Sequence, residues 1–144
     1  MSNQQIKLIK LATSLLGKPY KYGAKPEAAP SEFDCSSFTQ YLYKQLDIDL
    51  PRSALLQASE GEVVEVKHDN LRAGDLLFFK GGWGHYNPEF PVGIGHVGIF
   101  IGDNKVINAR WLRNTDGSEG GQVLEDTVES FIDRPDFVVA KRIL

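Results

Sequence analysis

One cysteine, three histidines and an asparagine carry the chemistry to be read in this 144-residue chain. The lone cysteine lies in Phe33-Asp34-Cys35-Ser36-Ser37-Phe38. A single thiol makes no intramolecular disulfide and is too few for a Cys-rich zinc site. It stands where an amphipathic helix is expected to begin, with Asp34 as N-cap and Cys35, Phe38, Leu42 and Leu46 on one face. Unpaired N–H groups and the positive dipole end at a helix start favour a thiolate. Cys35 is therefore a candidate nucleophile, expected to be partly exposed and to titrate below the free value of about 8.5. The alternative is a small buried hydrophobe, the ordinary fate of a lone cysteine.

A thiol nucleophile needs a base, and the base needs a group to orient it. The histidines are His68, His85 and His96. His68 falls in the polar turn Lys67-His68-Asp69-Asn70 and reads as solvated. His85 falls in a glycine-rich loop, a poor platform for a base. His96 opens the apolar run Val97-Gly98-Ile99-Phe100-Ile101, a strand able to hold a side chain in place.

Register tests the third member. If Gly102-Asp103-Asn104 forms a three-residue turn, Ile101 pairs with Lys105 and Gly98 faces Asn108. His96 and Asn108 then share a face as diagonal neighbours, roughly 7–8 Å apart at their α-carbons. A two-residue turn would shift the register by one and separate them. Asn108 is otherwise a polar residue at a strand end.

Around these residues, hydrophobic content of 42% and charged content of 24% are ordinary for a globular protein, and the length predicts one domain spanning residues 1–144. A net charge of −3 gives no electrostatic reason to expect nucleic acid or anionic membrane as a partner. No apolar run approaches the roughly 20 residues of a membrane helix. The stretch Met1 to Lys7 lacks a secretory pattern, so the expectation is a cytoplasmic protein, export by another route, or a trimmed domain acting outside the cell.

Ile6, Ile9, Leu11, Ala12, Leu15 and Leu16 recur at helical spacing and stop at Gly17-Lys18-Pro19. Tyr20 to Ser31 reads as loop, a second helix runs from Cys35 to Leu46, and Ser53 caps a short third helix through Ser59. Strands are expected at Val63–Val66, Asp75–Lys80, His96–Ile101, Lys105–Arg110 and Phe137–Arg142. Gly81–Gly95 and Arg113–Gly121 read as loops, and Val128–Ile132 as a helical turn. Helices first and a strand meander after predict an α+β fold, N-terminal helices packed on a central antiparallel sheet.

The chain resembles the NlpC/P60 family, papain-like cysteine peptidases of bacterial cell-wall peptides. The matching pieces, in order, are Gly17-Lys18-Pro19-Tyr20-Lys21-Tyr22-Gly23, Phe33 to Phe38, Leu50-Pro51-Arg52-Ser53, Leu71 to Phe79, and Gly95 to Gly102. The resemblance implies Cys35 as nucleophile, His96 as base and Asn108 at a third polar position where the family more often has histidine. It also implies that Tyr22 shapes the cleft, and that Asp34, Ser36 and Ser53 bind a substrate's amino end; Asp34 and Ser53 also have local roles as helix caps. Ser37 departs from the glycine more usual at its position, and the Gly81–Gly95 loop, with Trp83, His85 and Tyr86, is longer than a minimal member needs. Gly74-Asp75 reads as a tight turn into a strand.

The implied activity is hydrolysis of peptidoglycan stem peptides at the γ-D-glutamyl–diamino acid bond, in intact wall or as released peptides. It needs no metal or cofactor and no partner beyond the substrate, the protein acting as a monomer. A related amidase or acyltransferase, and a catalytically inactive wall-binding module, remain the rival readings.

Overall fold

The computed structural model describes residues 1–66, 70–82, 84–113, 115–117 and 119–144; His68 and Trp83 lie outside them. Helix α1 spans Asn3–Ser14, α2 Cys35–Lys44, α3 Ala54–Gln57 and α4 Val128–Ile132. The strands are β1 Glu62–Val64, β2 Leu76–Phe79, β3 His96–Gly102, β4 Lys105–Arg113, β5 Glu119–Thr127 and β6 Phe137–Arg142. All pair antiparallel in one six-stranded sheet of order β1-β6-β2-β3-β4-β5. This is the expected α+β architecture.

Local chemistry sets the helix starts. Ser2 and Gln5 form a reciprocal capping box at α1, so that helix begins three residues before the first apolar position, Ile6. Asp34 and Ser37 do the same for α2, which is why this helix starts at Cys35 as its N-cap predicts. Thus Ser37, set where glycine is more usual, returns its hydroxyl to the Asp34 N–H at 2.9 Å.

The sheet is filled from both sides. Leu76 and Phe78 of β2 join the larger core with Leu8, Phe38 and Leu42 of α1 and α2, while Leu77 and Phe79 join a smaller one with Val106 and Phe131 under α4. All four β2 side chains are buried, as expected of a strand covered on both faces. Beside Gly74, Asp75 is buried and takes two hydrogen bonds from Arg142, tying β2 to β6. The sequence reading of this pair as a turn into a strand is right but misses that ion pair.

Two expectations need correction. The stretch 119–127, given no strand and partly assigned to a loop, is β5, and β4 runs on to Arg113 to pair with it along nine residues. The stretch is charged and carries Gly120-Gly121, so it lacks apolar alternation; β4 supplies the ladder that makes it a strand.

The β3–β4 turn also differs. Gly102 pairs with Lys105, so the turn has two residues, Asp103 and Asn104, both at positive φ (48° and 63°) as a tight hairpin of the primed kind requires. Two residues alone would have placed His96 and Asn108 on opposite faces. The ladder breaks between Phe100 and Gly102, leaving Ile101 as an extra, bulged residue, and Ile99 still pairs with Ile107. The bulge restores the register that the expected three-residue turn was to provide.

Candidate active site

Cys35 is the first residue of α2, packed so that only 8% of it is exposed. The thiol faces the Gly95 carbonyl at 3.9 Å and meets the N–H groups of Val97 and Ser36. It thus sits against the backbone on either side of His96, although its hydrogen bond goes to Gly95 and not to the imidazole. Gly95 is itself packed too tightly for a side chain: a β-carbon there would stand 2.6 Å from the Lys80 carbonyl and 2.7 Å from the Gly84 α-carbon.

The expectation of a partly exposed, easily ionised thiol is overturned. Burial pushes the Cys35 pKa up to about 11, and the Asp34 carboxylate adds to the rise. The N–H groups of Val97 and Ser36 and the Arg52 guanidinium pull it down by less. Desolvation outweighs the helix start because the dipole is worth about 0.3–1 kcal/mol in ordinary settings, whereas full burial moves a pKa by up to 3–5 units.

His96 opens β3 and packs beside the Phe79–Phe131 pair, with ring centroids 6.1 and 6.3 Å away. Its Nε2 lies 2.8 Å from Asn108 Oδ1. Burial lowers the imidazole pKa to about 4; the Asn108 hydrogen bond opposes this, and Arg134 and Arg110 add to the lowering. Thiol and imidazole are therefore both neutral at pH 7 in the substrate-free chain.

Asn108 is fully buried on β4. Its Nδ2 donates to Asp126 Oδ2 on β5 at 2.9 Å, and Arg110 reaches the same carboxylate with Nε and Nη2 at 3.3 Å each. Neither Asp126 nor Arg110 was singled out from sequence. Asp126 lies in the unrecognised strand, so no sequence signal marked it.

A cleft of about 540 Å³ opens beside the thiol, lined by Tyr20, Tyr22, Asp34, Arg52, Leu56 and His85 among others. Tyr22 is largely exposed on its wall, and Ser36 and Ser53 also line it. The three residues implied to bind an amino end are engaged within the chain. Asp34 accepts from the N–H groups of Ser37 (2.8 Å) and Gly23 (3.2 Å) and forms an ion pair with Arg52 at 2.6 Å. Arg52 also donates to Ser36 Oγ at 2.8 Å and to the Ala24 carbonyl at 2.6 Å. Ser53 Oγ caps α3 by accepting the Leu56 N–H. Arg52 was quoted from sequence only as part of Leu50-Pro51-Arg52-Ser53; no sequence signal marked its pairing with Asp34, 18 residues away.

His85 is better held than its loop suggested. Its N–H and carbonyl exchange hydrogen bonds with Ile94 at 3.1 and 2.8 Å, and Glu89 at the far end accepts from Ser59 at 2.6 Å. The loop is a pinned hairpin at the cleft rim, and His85 is exposed there.

A helix-start thiol packed against an antiparallel sheet and a His–Asn pair borne on two of its inner strands define a papain-like α+β domain. Residues 17–115 match the NlpC/P60 family, and the chain belongs to it. It is 36% identical over 121 residues to a probable endopeptidase p60 of Listeria seeligeri, covering 81% of this chain and 20% of that protein. It is also 36% identical over 106 residues to the gamma-DL-glutamyl hydrolase of Bacillus subtilis, covering 72% and 23%. The chain thus spans about a fifth of the length of these curated relatives. The NlpC/p60 domain of the peptidoglycan hydrolase SagA superposes with a TM-score of 0.67 at 30% identity over 96% of this chain and 97% of that one. NlpC2 from Trichomonas vaginalis does so at 0.72 and 25% identity, over 99% and 47%. Among the described residues no helix is long and apolar enough to cross a membrane.

Proposed function

We propose that this domain is a cysteine peptidase that hydrolyses peptidoglycan stem peptides at the γ-D-glutamyl–diamino acid bond, with Cys35 as nucleophile, His96 as base and Asn108 as its orienter. The observation that carries the reading is the 2.8 Å contact from His96 Nε2 to Asn108 Oδ1, with the cleft-lining Cys35 thiol held against the backbone on either side of that histidine. An amide oxygen there accepts a hydrogen bond from the Nε2–H, leaving Nδ1 with the lone pair a general base needs.

Substrate entering the cleft presents its amide carbonyl to Sγ. The thiol proton passes to His96 Nδ1 as sulfur bonds to the carbonyl carbon. The backbone N–H of Cys35, at the first helical position, has no acceptor within the helix and faces the developing oxyanion. The imidazolium then protonates the departing amine and the C–N bond breaks, leaving a thioester. Water, deprotonated by His96, cleaves the thioester to a carboxylate and the free thiol. Asn108 orients the ring throughout and carries no charge.

The γ-glutamyl specificity draws support from the name of the Bacillus subtilis relative. Within the cleft, Asp34, Ser36 and Ser53 are the groups proposed to meet the amino end of the substrate, and Tyr22 is proposed to shape the wall beside them.

The test is to digest purified peptidoglycan and free stem peptides in parallel and identify products by mass, with Cys35→Ala as control. A new amine on the diamino acid, absent with Cys35→Ala, is the expected result. Cleavage retained by a folded Cys35→Ala protein, or none by the parent on either substrate, overturns the reading. An acyl group transferred to an added amine in place of hydrolysis would identify an acyltransferase.

A further inference from the structure

We propose that Asp126 is a positioning residue that selects the tautomer of His96 by holding the Asn108 carboxamide one way round. The inference rests on the reading of His96 as the base, and deepens it. Asp126 lies beyond the residues that match the family, on the strand that closes the sheet edge.

The two ends of a carboxamide are alike in shape and opposite in hydrogen-bonding sense, so its orientation follows from its partners. At one end of Asn108 is His96 Nε2 at 2.8 Å; at the other is Asp126 Oδ2 at 2.9 Å. An ionised carboxylate only accepts. The amide N–H₂ must therefore face Asp126, and Oδ1 must face His96. Oδ1 only accepts, so Nε2 carries the proton and Nδ1 the lone pair.

Turn the carboxamide over and each step reverses. Its N–H₂ would donate to Nε2, the proton would move to Nδ1, and the ring could no longer accept a proton through Nδ1. Asp126 prevents this at a distance, touching neither thiol nor imidazole. The register explains its reach: Asn108 pairs with Leu124, and Asp126, two residues further along β5, shares that face as a diagonal neighbour.

Arg110 supports the arrangement. Its Nε and Nη2 each lie 3.3 Å from the carboxylate and hold it in place as an ion pair. With the positive partner alongside, Asp126 acts on His96 through the direction of a hydrogen bond more than through its charge. Asn108 is fully buried, so water cannot take over the orienting task.

The test compares the parent with Asp126→Asn, a near-isosteric change that can donate as well as accept. The His96 tautomer is read from ring ¹⁵N shifts, with the signal assigned by its loss in His96→Gln; kcat and KM are measured on stem peptides. In the parent, His96 should be in the Nε2–H form. In Asp126→Asn a substantial share should move to Nδ1–H, with kcat falling about 10–100-fold, by analogy with the loss of a residue that orients a metal-bound histidine, and KM within about threefold. Asp126→Glu, which keeps the carboxylate, should restore most of the Nε2–H form. If Asp126→Asn does not fold, Asp126→Ser serves the same comparison. An unmoved tautomer in a folded, carboxylate-free variant overturns the proposal, even where kcat falls. If the parent proves inactive while the tautomer shifts as described, the functional reading fails and the positioning role stands.

Discussion

The Cys35 thiol offers the sharpest test, because local and tertiary effects pull its pKa in opposite directions. A helix start alone predicts a value below about 8.5; burial and the Asp34 carboxylate push it up to about 11. At that value roughly one thiol in 10,000 is ionised at pH 7, against about one in 30 for a free cysteine. Alkylation by iodoacetamide, which reads the thiolate, should climb close to tenfold per pH unit from pH 6 to 10. At pH 7 it should run two to three orders of magnitude below free cysteine. Asp34→Asn removes the second cause of the rise and leaves Arg52 unopposed, so the profile should shift to lower pH. That variant also loses the charge of a cap holding the Ser37 and Gly23 N–H groups, and should be less stable by about 1–3 kcal/mol. Mass-resolved alkylation rates across the pH range, on parent and variant, check both claims. A parent rate that is flat from pH 5 to 8 would refute the reasoning, since it would mean a thiolate–imidazolium pair already formed without substrate.

Three other outcomes are expected. His96→Ala should lower kcat by orders of magnitude, Asn108→Ala by less, and His85→Ala should raise KM while sparing kcat; steady-state kinetics on stem peptides gives the ranking, and an indifferent His96→Ala would demand another base. The folded His96 pKa of about 4 lies below its unfolded value of about 6.5, so the unfolded chain binds the extra proton between them. That contribution, up to about 3 kcal/mol, is complete above pH 6.5 and is lost as pH falls toward 4. Urea unfolding from pH 7 to 4 should therefore show a steeper loss for the parent than for His96→Gln, and parallel curves would contradict the assignment. Gly98→Ala would place a β-carbon 2.7 Å from Val106 Cγ1, 3.3 Å from Phe131 and 3.4 Å from the Asn108 β-carbon. It should cost about 1–3 kcal/mol by denaturation, and an unchanged midpoint would show that β4 yields freely.

Sequence alone determined the features that rest on neighbours along the chain. The caps at Asp34 and Ser53, the α2 face of Phe38 and Leu42, and strands β2, β3 and β6 all follow from local periodicity and terminal chemistry. So does the pairing of His96 with Asn108, since a hairpin is a short-range structure. Even there the turn was misjudged, because a two-residue turn plus a bulge at Ile101 gives the same alignment as three turn residues, and nothing local separates the two. Tertiary structure decided the rest. Strand β5 exists because β4 offers it a ladder, and Asp126 reaches Asn108 only across that ladder. The Arg52–Asp34 pair joins residues from two separate elements. The state of the thiol was the least legible feature: the helix start that favours ionisation is written in six residues, whereas the burial that overrides it exists only once segments far along the chain, the one carrying Gly95 among them, have packed against the sulfur.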